Sequence, residues 1–260
     1  MSVFVAEELS EVLNTKVVIG RINMGLLNRI IIDDVLLDDQ SGQEMLKVTR
    51  LSAKFDIMPF FKGKISISSV QLFGFNINLR KETPDSPPNF KFVLDAFASK
   101  DTVKKENSLD LRINSILIRR GRMSYHVLSE EETPGKFNAK HIQLQNIIAN
   151  ISLKALSKDS LNLGIKRLSL DEKASGFSLK KMSLKLVANN KQTNIDNFTI
   201  ELPETSLKLD TIHLEYDSLK AFDRFTEQVH FSFRTLPSQV TLKDISPFVP
   251  ILSHFKEPVR

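Results

Sequence analysis

The 260-residue chain has no cysteine, no tryptophan and only two tyrosines. Without cysteine it can hold neither a disulfide framework nor a metal site built from thiolates. No stretch approaches about 18 consecutive apolar residues, so the sequence predicts no transmembrane helix within the chain. The G-x-S-x-G, P-loop and G-x-G-x-x-G signatures are also missing. We therefore expect no enzyme, no catalytic residues, no metal site and no cofactor.

The chain does contain a recurring eight-residue motif of the form apolar-x-apolar-x-x-apolar-x-apolar. Clear copies begin at residues 30, 46, 65, 111, 137, 163, 177 and 207, and a weaker one begins at residue 193. The four apolar positions do not share one face of a helix, whereas each half has the period of two that is typical of a strand. The doubled x would turn the second half over, and a β-bulge, in which two residues oppose one, corrects this. The motif therefore predicts many bulged strands, each apolar on one side.

A sheet made of such strands needs a cover for its apolar side. About fifteen strands spaced about 4.8 Å apart would span about 70 Å, and an open sheet of that width curls, splits or is covered. Two sheets packed as a sandwich are the more common solution, and one sheet curled into a trough is the other. The 18 phenylalanines favour the trough, since phenylalanine offers apolar area without a polar group. We expect an all-β fold with few short helices: a long antiparallel, bulged β-meander curled into a taco-like groove.

The chain divides into three segments. Residues 1–81 are predicted to form a β segment that begins with a helix, and residues 82–108 a proline-containing linker with a short helix. Residues 109–260 are predicted to continue the meander. The dipeptides Phe73-Gly74 and Arg120-Gly121 are predicted to form turns between strands.

The first helix is predicted over residues 3–14 and is amphipathic. Val5, Leu9 and Val12 are expected to face inward and to plug the first end of the groove. Asn14 is expected to end the helix.

Two parts of the chain resemble a known family. They are LSEVLNTKVVIGRI at residues 9–22, followed by IDDVLLDD at residues 32–39, and FFKGKISISSVQLFGFNI at residues 60–77. Both resemble the N-terminal region of AsmA-like proteins, most closely the TamB branch (translocation and assembly module) of Bacteroides-type bacteria. The specific likeness covers about residues 5–125, and the rest of the chain resembles the family in its meander alone.

The resemblance implies a β-groove in the periplasm of a Gram-negative cell, anchored to the inner membrane and reaching the outer membrane. Such proteins are linked to phospholipid transport across the cell envelope and to outer-membrane protein assembly. We therefore expect phospholipid acyl chains as ligands and no nucleic acid as a partner. The membrane-anchoring helix is expected upstream of Val5. An outer-membrane barrel partner is expected to dock on the full-length protein and not on these residues.

The inward positions of the motif are the candidate lining of the groove. These are Ile30, Ile32, Val35, Leu37, Ile65, Ile67, Val70, Leu72, Leu111, Ile113, Ile116, Ile118, Leu163, Ile165, Leu207, Leu209 and Ile212. The basic cluster of Arg119, Arg120 and Arg122 has two interpretations, either a solvated turn or a rim that attracts lipid headgroups. The sequence leaves both open.

The other polar groups have simple interpretations. Asp33-Asp34 and Asp38-Asp39 are expected to be acids of bulges and turns, with a weak cation site as the alternative, because their spacing does not fit an EF-hand. The five histidines are scattered, and no pair has the i, i+4 spacing of a zinc helix. His141 and His213 fall on x positions, so both are expected to face solvent.

The competing function is a structural or adhesive β-sandwich whose apolar faces are satisfied internally. A groove should co-purify phospholipid, whereas a closed sandwich should not. Mass spectrometry of organic extracts would separate the two functions.

Overall fold

The computed structural model describes residues 2–26, 28–55, 65–98, 109–110, 114–156 and 160–254. These residues contain four α-helices, α1 (Ser2–Leu13), α2 (Lys91–Ala98), α3 (Phe225–Gln228) and α4 (Leu242–Ile245), and 3-10 helices over Leu219–Arg224 and Pro250–His254. The strands are β1 (Val17–Gly25), β2 (Arg29–Asp38), β3 (Glu44–Phe55), β4 (Ile65–Lys81), β5 (Leu109–Asp110), β6 (Ser115–Val127), β7 (His141–Leu156), β8 (Ser160–Glu172), β9 (Ser178–Asn189), β10 (Gln192–Glu201), β11 (Ser206–Tyr216) and β12 (Val229–Thr235).

The strands pair in the order β1-β2-β3-β4-β6-β7-β8-β9-β10-β11-β12, and β5 pairs with β4. Neighbours from β1 to β4 and from β8 to β12 are antiparallel, whereas β6 joins β4 in parallel. Among the described strands, β1 and β12 each have a single neighbour, so the sheet is open. The predicted class, an open and mostly antiparallel all-β meander with an N-terminal helix and few other short helices, is confirmed.

The chain forms two compact units. Unit 1 comprises Met1–Ile147 and Glu172–Ser175, and unit 2 comprises Ile148–Asp171 and Gly176–Arg260. The division falls within β7 and at the end of β8, whereas the described part of the predicted linker, residues 82–98, belongs to unit 1. The short helix predicted in that linker is α2.

In unit 1 several strands are kinked at a residue with positive φ. Asp34, Gly74, Arg120 and Asn146 each have a left-handed φ between 54° and 64°. The pairs on either side of Asp34, Gly74 and Arg120 align these three residues with one another through Thr49 of β3. Of the four kinked residues, only Asp34 lies at the doubled x of a copy of the motif. These kinks lie inside strands, so the turns predicted at Phe73-Gly74 and Arg120-Gly121 are wrong. The strand pairing continues on both sides of the kinks at Asp34, Gly74 and Arg120.

The two-against-one bulge predicted at the doubled x is wrong for the copies that begin at residues 30 and 46. The pair Ile19–Val35 lies on one side of the kink and the pair Arg21–Asp33 on the other, without a register shift between them. The pairings of β2 with β3 and of β3 with β4 also pass Thr49 and Arg50, the doubled x of the copy at residue 46, in register. Neighbouring strands are kinked together, so neither needs an extra residue.

The predicted bulge is confirmed for the copy that begins at residue 65. Lys54 pairs with Ser69 and Phe55 with Ile67, so Ser68 is the extra residue of β4.

Bulges of the predicted kind also occur in unit 2. Between β9 and β10 the register shifts by one residue after Asp196, so that Asn197 and Phe198 oppose Leu184 alone. Between β8 and β9 it shifts at Lys166 and Arg167. Asn197 has a φ of 53°, which asparagine tolerates better than most residues.

The register aligns the apolar positions of unit 1 into four rows that run across the strands. We call the side of the sheet that carries them the apolar face and the opposite side the polar face. The rows are Met24, Ile30, Ala53, Val70 and Ile116; Ile22, Ile32, Leu51, Leu72 and Ile118; Ile19, Val35, Val48 and Phe75; and Val17, Leu37, Leu46, Ile77 and Met123.

Helix α1 covers the β1–β2 end of the apolar face. Ala6 and Leu13 are buried in one cluster with Val17, Ile19, Leu37 and Met45, and Val5, Leu9 and residues of α2 pack around this cluster. The predicted inward positions Val5 and Leu9 are confirmed. Val12 is 47% exposed, so that prediction is wrong, and Leu13 fills the buried position instead. The helix ends at Leu13, and Asn14 follows with a left-handed φ of 48°.

Gly121 is required by a close approach on the apolar face. A Cβ atom at this position would lie 2.5 Å from the Phe75 ring and 3.0 Å from the Cβ of Ile147. Phe75 is only 6% exposed because its ring occupies the space above this glycine. The third row is therefore tightly packed at Phe75.

We predict that Gly121→Ala destabilises the protein by about 1–3 kcal/mol, the usual cost of overpacking a filled site. Chemical denaturation of the single variant and of the double variant Gly121→Ala/Phe75→Leu measures this effect. The double variant should recover part of the loss, since the smaller side chain makes room for the methyl group. Equal stability of Gly121→Ala and the parent would contradict the packing described here.

Candidate functional site

The apolar face of unit 1 is the first candidate site because most of its side chains are not buried. Among the row residues, only Val17, Ile19, Leu37, Val48 and Phe75 are buried, and the others are half-buried or exposed. The buried residues lie under α1 or in the tight third row. Side chains in a closed core would be almost fully buried. Within this unit the apolar face is therefore reachable from outside.

Unit 2 has an apolar face of the same kind. Its strands align Leu163, Leu186, Ile195, Ile212 and Phe233 in one row, and Leu161, Ala188, Thr193, Leu214 and Phe231 in the next. Thr193 is buried, whereas the apolar members from β8 to β11 are half-buried. Phe231 and Phe233, on the last strand, are 55% and 56% exposed, and their rings stack with centroids 6.3 Å apart.

The structure places the predicted lining residues as follows. Ile30, Ile32, Val35, Val70, Leu72, Ile116 and Ile118 are half-buried in the rows of unit 1, and Leu163, Ile165, Leu207, Leu209 and Ile212 are half-buried in unit 2. Leu37 is buried beneath α1. Leu111 and Ile113 lie outside the described residues, as do the side chains of Ile65 and Ile67.

The predicted basic rim lies in the middle of β6, and all three arginines are exposed. Arg119 pairs with Phe73 of β4, at positions that alternate with the apolar rows and so belong to the polar face. The guanidinium of Arg120 lies 5.2 Å above the ring of Phe73, within the range of a cation–π contact. The interpretation of this cluster as a solvated hairpin turn is therefore wrong.

On the polar face, ion pairs connect neighbouring strands. Arg50 donates hydrogen bonds from Nε to Asp33 Oδ1 at 2.6 Å and from Nη2 to Asp33 Oδ2 at 3.3 Å. The hydrogen bond from Arg50, against the opposing effect of burial, lowers the pKa of Asp33, and the charges of Arg50 and Arg21 add to this. Asp33 is thus the acid of an ion pair, and no metal ion is needed to explain it.

Two buried carboxylates fix turns at the ends of strands. Asp39 accepts hydrogen bonds from the backbone N–H groups of Ser41 and Gln43, at 3.0 and 3.1 Å, and its Oδ2 lies 2.7 Å from Arg80 Nη2. Glu172 accepts bonds from the N–H groups of Gln143 and Ser175, at 2.9 and 2.7 Å. Asp39 is a turn acid, as the sequence predicts. Glu172 carried no sequence signal, because its partner Gln143, on the neighbouring strand β7, is 29 residues away along the chain.

His141 is 7% exposed, so the prediction that it faces solvent is wrong. Its Nδ1 lies 3.0 Å from Nδ1 of His126, and its Nε2 lies 2.9 Å from the carbonyl oxygen of Glu130. His213 is half-buried, whereas Lys208 and Glu215 on the same strand are exposed, as expected for the polar face.

No family model matches the chain, and no curated protein matches it. None of the described helices is long and apolar enough to cross a membrane.

We predict that Asp39 makes the stability of the protein depend on pH. Burial raises the pKa of this carboxyl, but hydrogen bonds from Ser41, Asn89 and backbone N–H groups outweigh it, so the folded pKa is lowered. The stabilisation is present above the unfolded pKa of about 3.9 and is lost as pH falls through the folded pKa. Asp39→Asn should therefore lower Tm at pH 7 and have less effect below about pH 4.

Thermal unfolding of the two proteins between pH 7 and pH 3 measures this difference. Asp34→Asn is the matched control, because Asp34 is exposed and asparagine tolerates the same left-handed φ. A Tm difference between Asp39→Asn and the parent that stays constant over this range would contradict the prediction.

Proposed function

We propose that this chain is a non-enzymatic module of the bacterial cell envelope whose apolar face binds phospholipid acyl chains. In this proposal it takes part in phospholipid transport between the inner and outer membranes or in outer-membrane protein assembly, in the periplasm. The resemblance of residues 9–22, 32–39 and 60–77 to TamB-like proteins supports the cellular setting. The structure supports the ligand class.

One observation carries the proposal: the apolar rows are continuous from strand to strand, but most of their side chains in both units are not buried. An apolar surface of this extent is unusual on a protein that has no partner for it. A closed sandwich would bury the same positions, so the half-burial favours a groove over the structural or adhesive alternative.

The dimensions of the rows suit an acyl chain. A row that crosses five strands extends about 19 Å, from the usual strand spacing of about 4.8 Å. The acyl chains of one membrane leaflet span about 15 Å, half of the hydrocarbon core. One row is thus long enough to contact one acyl chain along the whole length of that chain.

The chemistry of the rows also suits acyl chains better than sugars or peptides. Their members are mainly isoleucine, leucine, valine and phenylalanine, which offer no hydrogen bonds. Binding would therefore depend on the apolar area removed from water, at about 25 cal/mol per Å². Such binding tolerates different acyl chains, as a transport surface requires.

We predict that phospholipid co-purifies with this chain and that charge on the apolar face removes it. Leu186→Asp and Ile118→Asp should each reduce lipid occupancy about tenfold or more, because lipid would have to cover an unpaired carboxylate. Mass spectrometry of organic extracts measures the occupancy, and thermal unfolding of the same samples measures stability.

The matched controls are the next residues along the same strands. Val187 is 48% exposed on the polar face beside Leu186, and Leu117 alternates with Ile118. Val187→Asp and Leu117→Asp should keep the parental lipid content. If the apolar-face variants unfold outright, the face is a closed core, and the sandwich replaces the groove. If all four variants keep their lipid, the apolar face is not the binding surface.

A further inference from the structure

Two imidazoles and a carboxylate converge where β6 ends and β7 begins. The backbone N–H of Val127 donates to the carbonyl oxygen of Lys140 at 2.9 Å, which places His126 and His141 side by side across the loop at 128–140. Their Nδ1 atoms are 3.0 Å apart. Glu132, within the loop, brings Oε1 to 3.9 Å from His126 Nδ1. One nitrogen or oxygen atom from each of the three side chains lies within 4.8 Å of the others.

The backbone fixes the orientation and the tautomer of His141. Its Nε2 lies 2.9 Å from the carbonyl oxygen of Glu130. A carbonyl oxygen can only accept, so Nε2 carries the proton, and Nδ1 of the neutral ring presents a lone pair towards His126. Metal-ligating histidines are oriented in the same way, by donating their other N–H to a carbonyl or carboxylate.

The distances approach those of a metal site. Two imidazole nitrogens that bind a tetrahedral zinc ion at about 2.0–2.1 Å lie about 3.3–3.4 Å apart, so the His126–His141 pair needs to open only slightly. Glu132 is exposed, so its side chain can rotate towards the pair.

Two neighbouring cations are held by carboxylates of their own. Lys140 Nζ lies 2.6 Å from Glu130 Oε2, and Arg80, which pairs with His126 along the strands, binds Asp39 at 2.7 Å. Neither charge is directed at Glu132 in this arrangement.

We infer that His126, His141 and Glu132 bind a divalent transition-metal ion of the zinc class. Imidazole and carboxylate are ligands that suit this class, and three protein ligands leave a fourth position for water. Coordination uses Nδ1 of both histidines, with the proton of the neutral His126 ring on Nε2. The ion ties the loop at 128–140 to the ends of β6 and β7. This site lies on the polar face and does not depend on the proposed lipid function.

The test is a titration of the chelator-treated full chain with Co²⁺, followed by competition with Zn²⁺. We expect saturable binding of one ion per chain, with the visible absorption of tetrahedral Co²⁺, which Zn²⁺ abolishes. His126→Gln and Glu132→Gln should each weaken binding tenfold or more. Zn²⁺ should raise the Tm of the parent and not that of His126→Gln.

His213→Gln is the matched control, because His213 also lies beside a carboxylate, Glu215, at 3.0 Å, but outside the cluster. It should bind as the parent does. Circular dichroism confirms that each variant is folded, and His141 is left unchanged because it is buried. If the parent binds neither Co²⁺ nor Zn²⁺, the cluster is only a hydrogen-bonded pair of histidines beside Glu132 and not a metal site. Binding that survives both ligand variants would place the ion elsewhere. Either result would overturn the inference.

Discussion

Register between neighbouring strands is the constraint on which the rest of this sheet depends. In unit 1 the strand pairing aligns the kinks at Asp34, Gly74 and Arg120, so the apolar residues before and after the kinks remain on one face. A slip of one residue in any strand would move its apolar set to the polar face. No such slip has occurred in β2. Ile32 and Leu37 lie on opposite sides of the kink at Asp34, and both pack in the cluster under α1.

The two faces of the sheet satisfy their side chains in different ways. On the polar face, ion pairs such as Asp33–Arg50 lie between neighbouring strands, and at the strand ends the buried carboxylates of Asp39 and Glu172 bind backbone N–H groups. Among the described residues, no buried side-chain nitrogen or oxygen lacks a hydrogen bond. On the apolar face, the helices cover only part of the apolar side chains, and the rest are not buried by the described residues. A ligand that covers apolar area therefore fits the apolar face better than the polar one.

An open apolar face changes how the protein is stabilised. Hydrogen bonds between the strands and contacts along the rows replace much of the closed core that a globular domain would have. Tight packing is confined to places such as Phe75 above Gly121 and the cluster under α1. A surface that must admit an acyl chain cannot also be filled by the protein's own side chains. The half-burial of the rows is thus consistent with a binding surface.

The sequence by itself determined the class of the fold. Strand periodicity depends only on residues close together in the chain, and each copy of the motif indicates which side of its strand is apolar. The sequence also determined the helix that ends before Asn14, since amphipathicity and a stop residue are local signals. It could not distinguish a kink inside a strand from a turn at Gly74 and Arg120, because both require the same left-handed backbone. Bulges were predicted in every strand but are unnecessary where neighbouring strands bend together.

Only the tertiary structure decided which distant residues meet. His126 and His141 are brought into contact by the pairing of β6 with β7, and Glu172 meets Gln143 because β7 and β8 are neighbours in the sheet. Neither contact has a spacing that could be read along the chain, since cross-strand neighbours depend on register and loop length. The sequence likewise could not show whether the apolar rows are covered, because a sandwich and an open face need the same alternation. Burial depends on what packs above a residue, and that is a property of the folded chain.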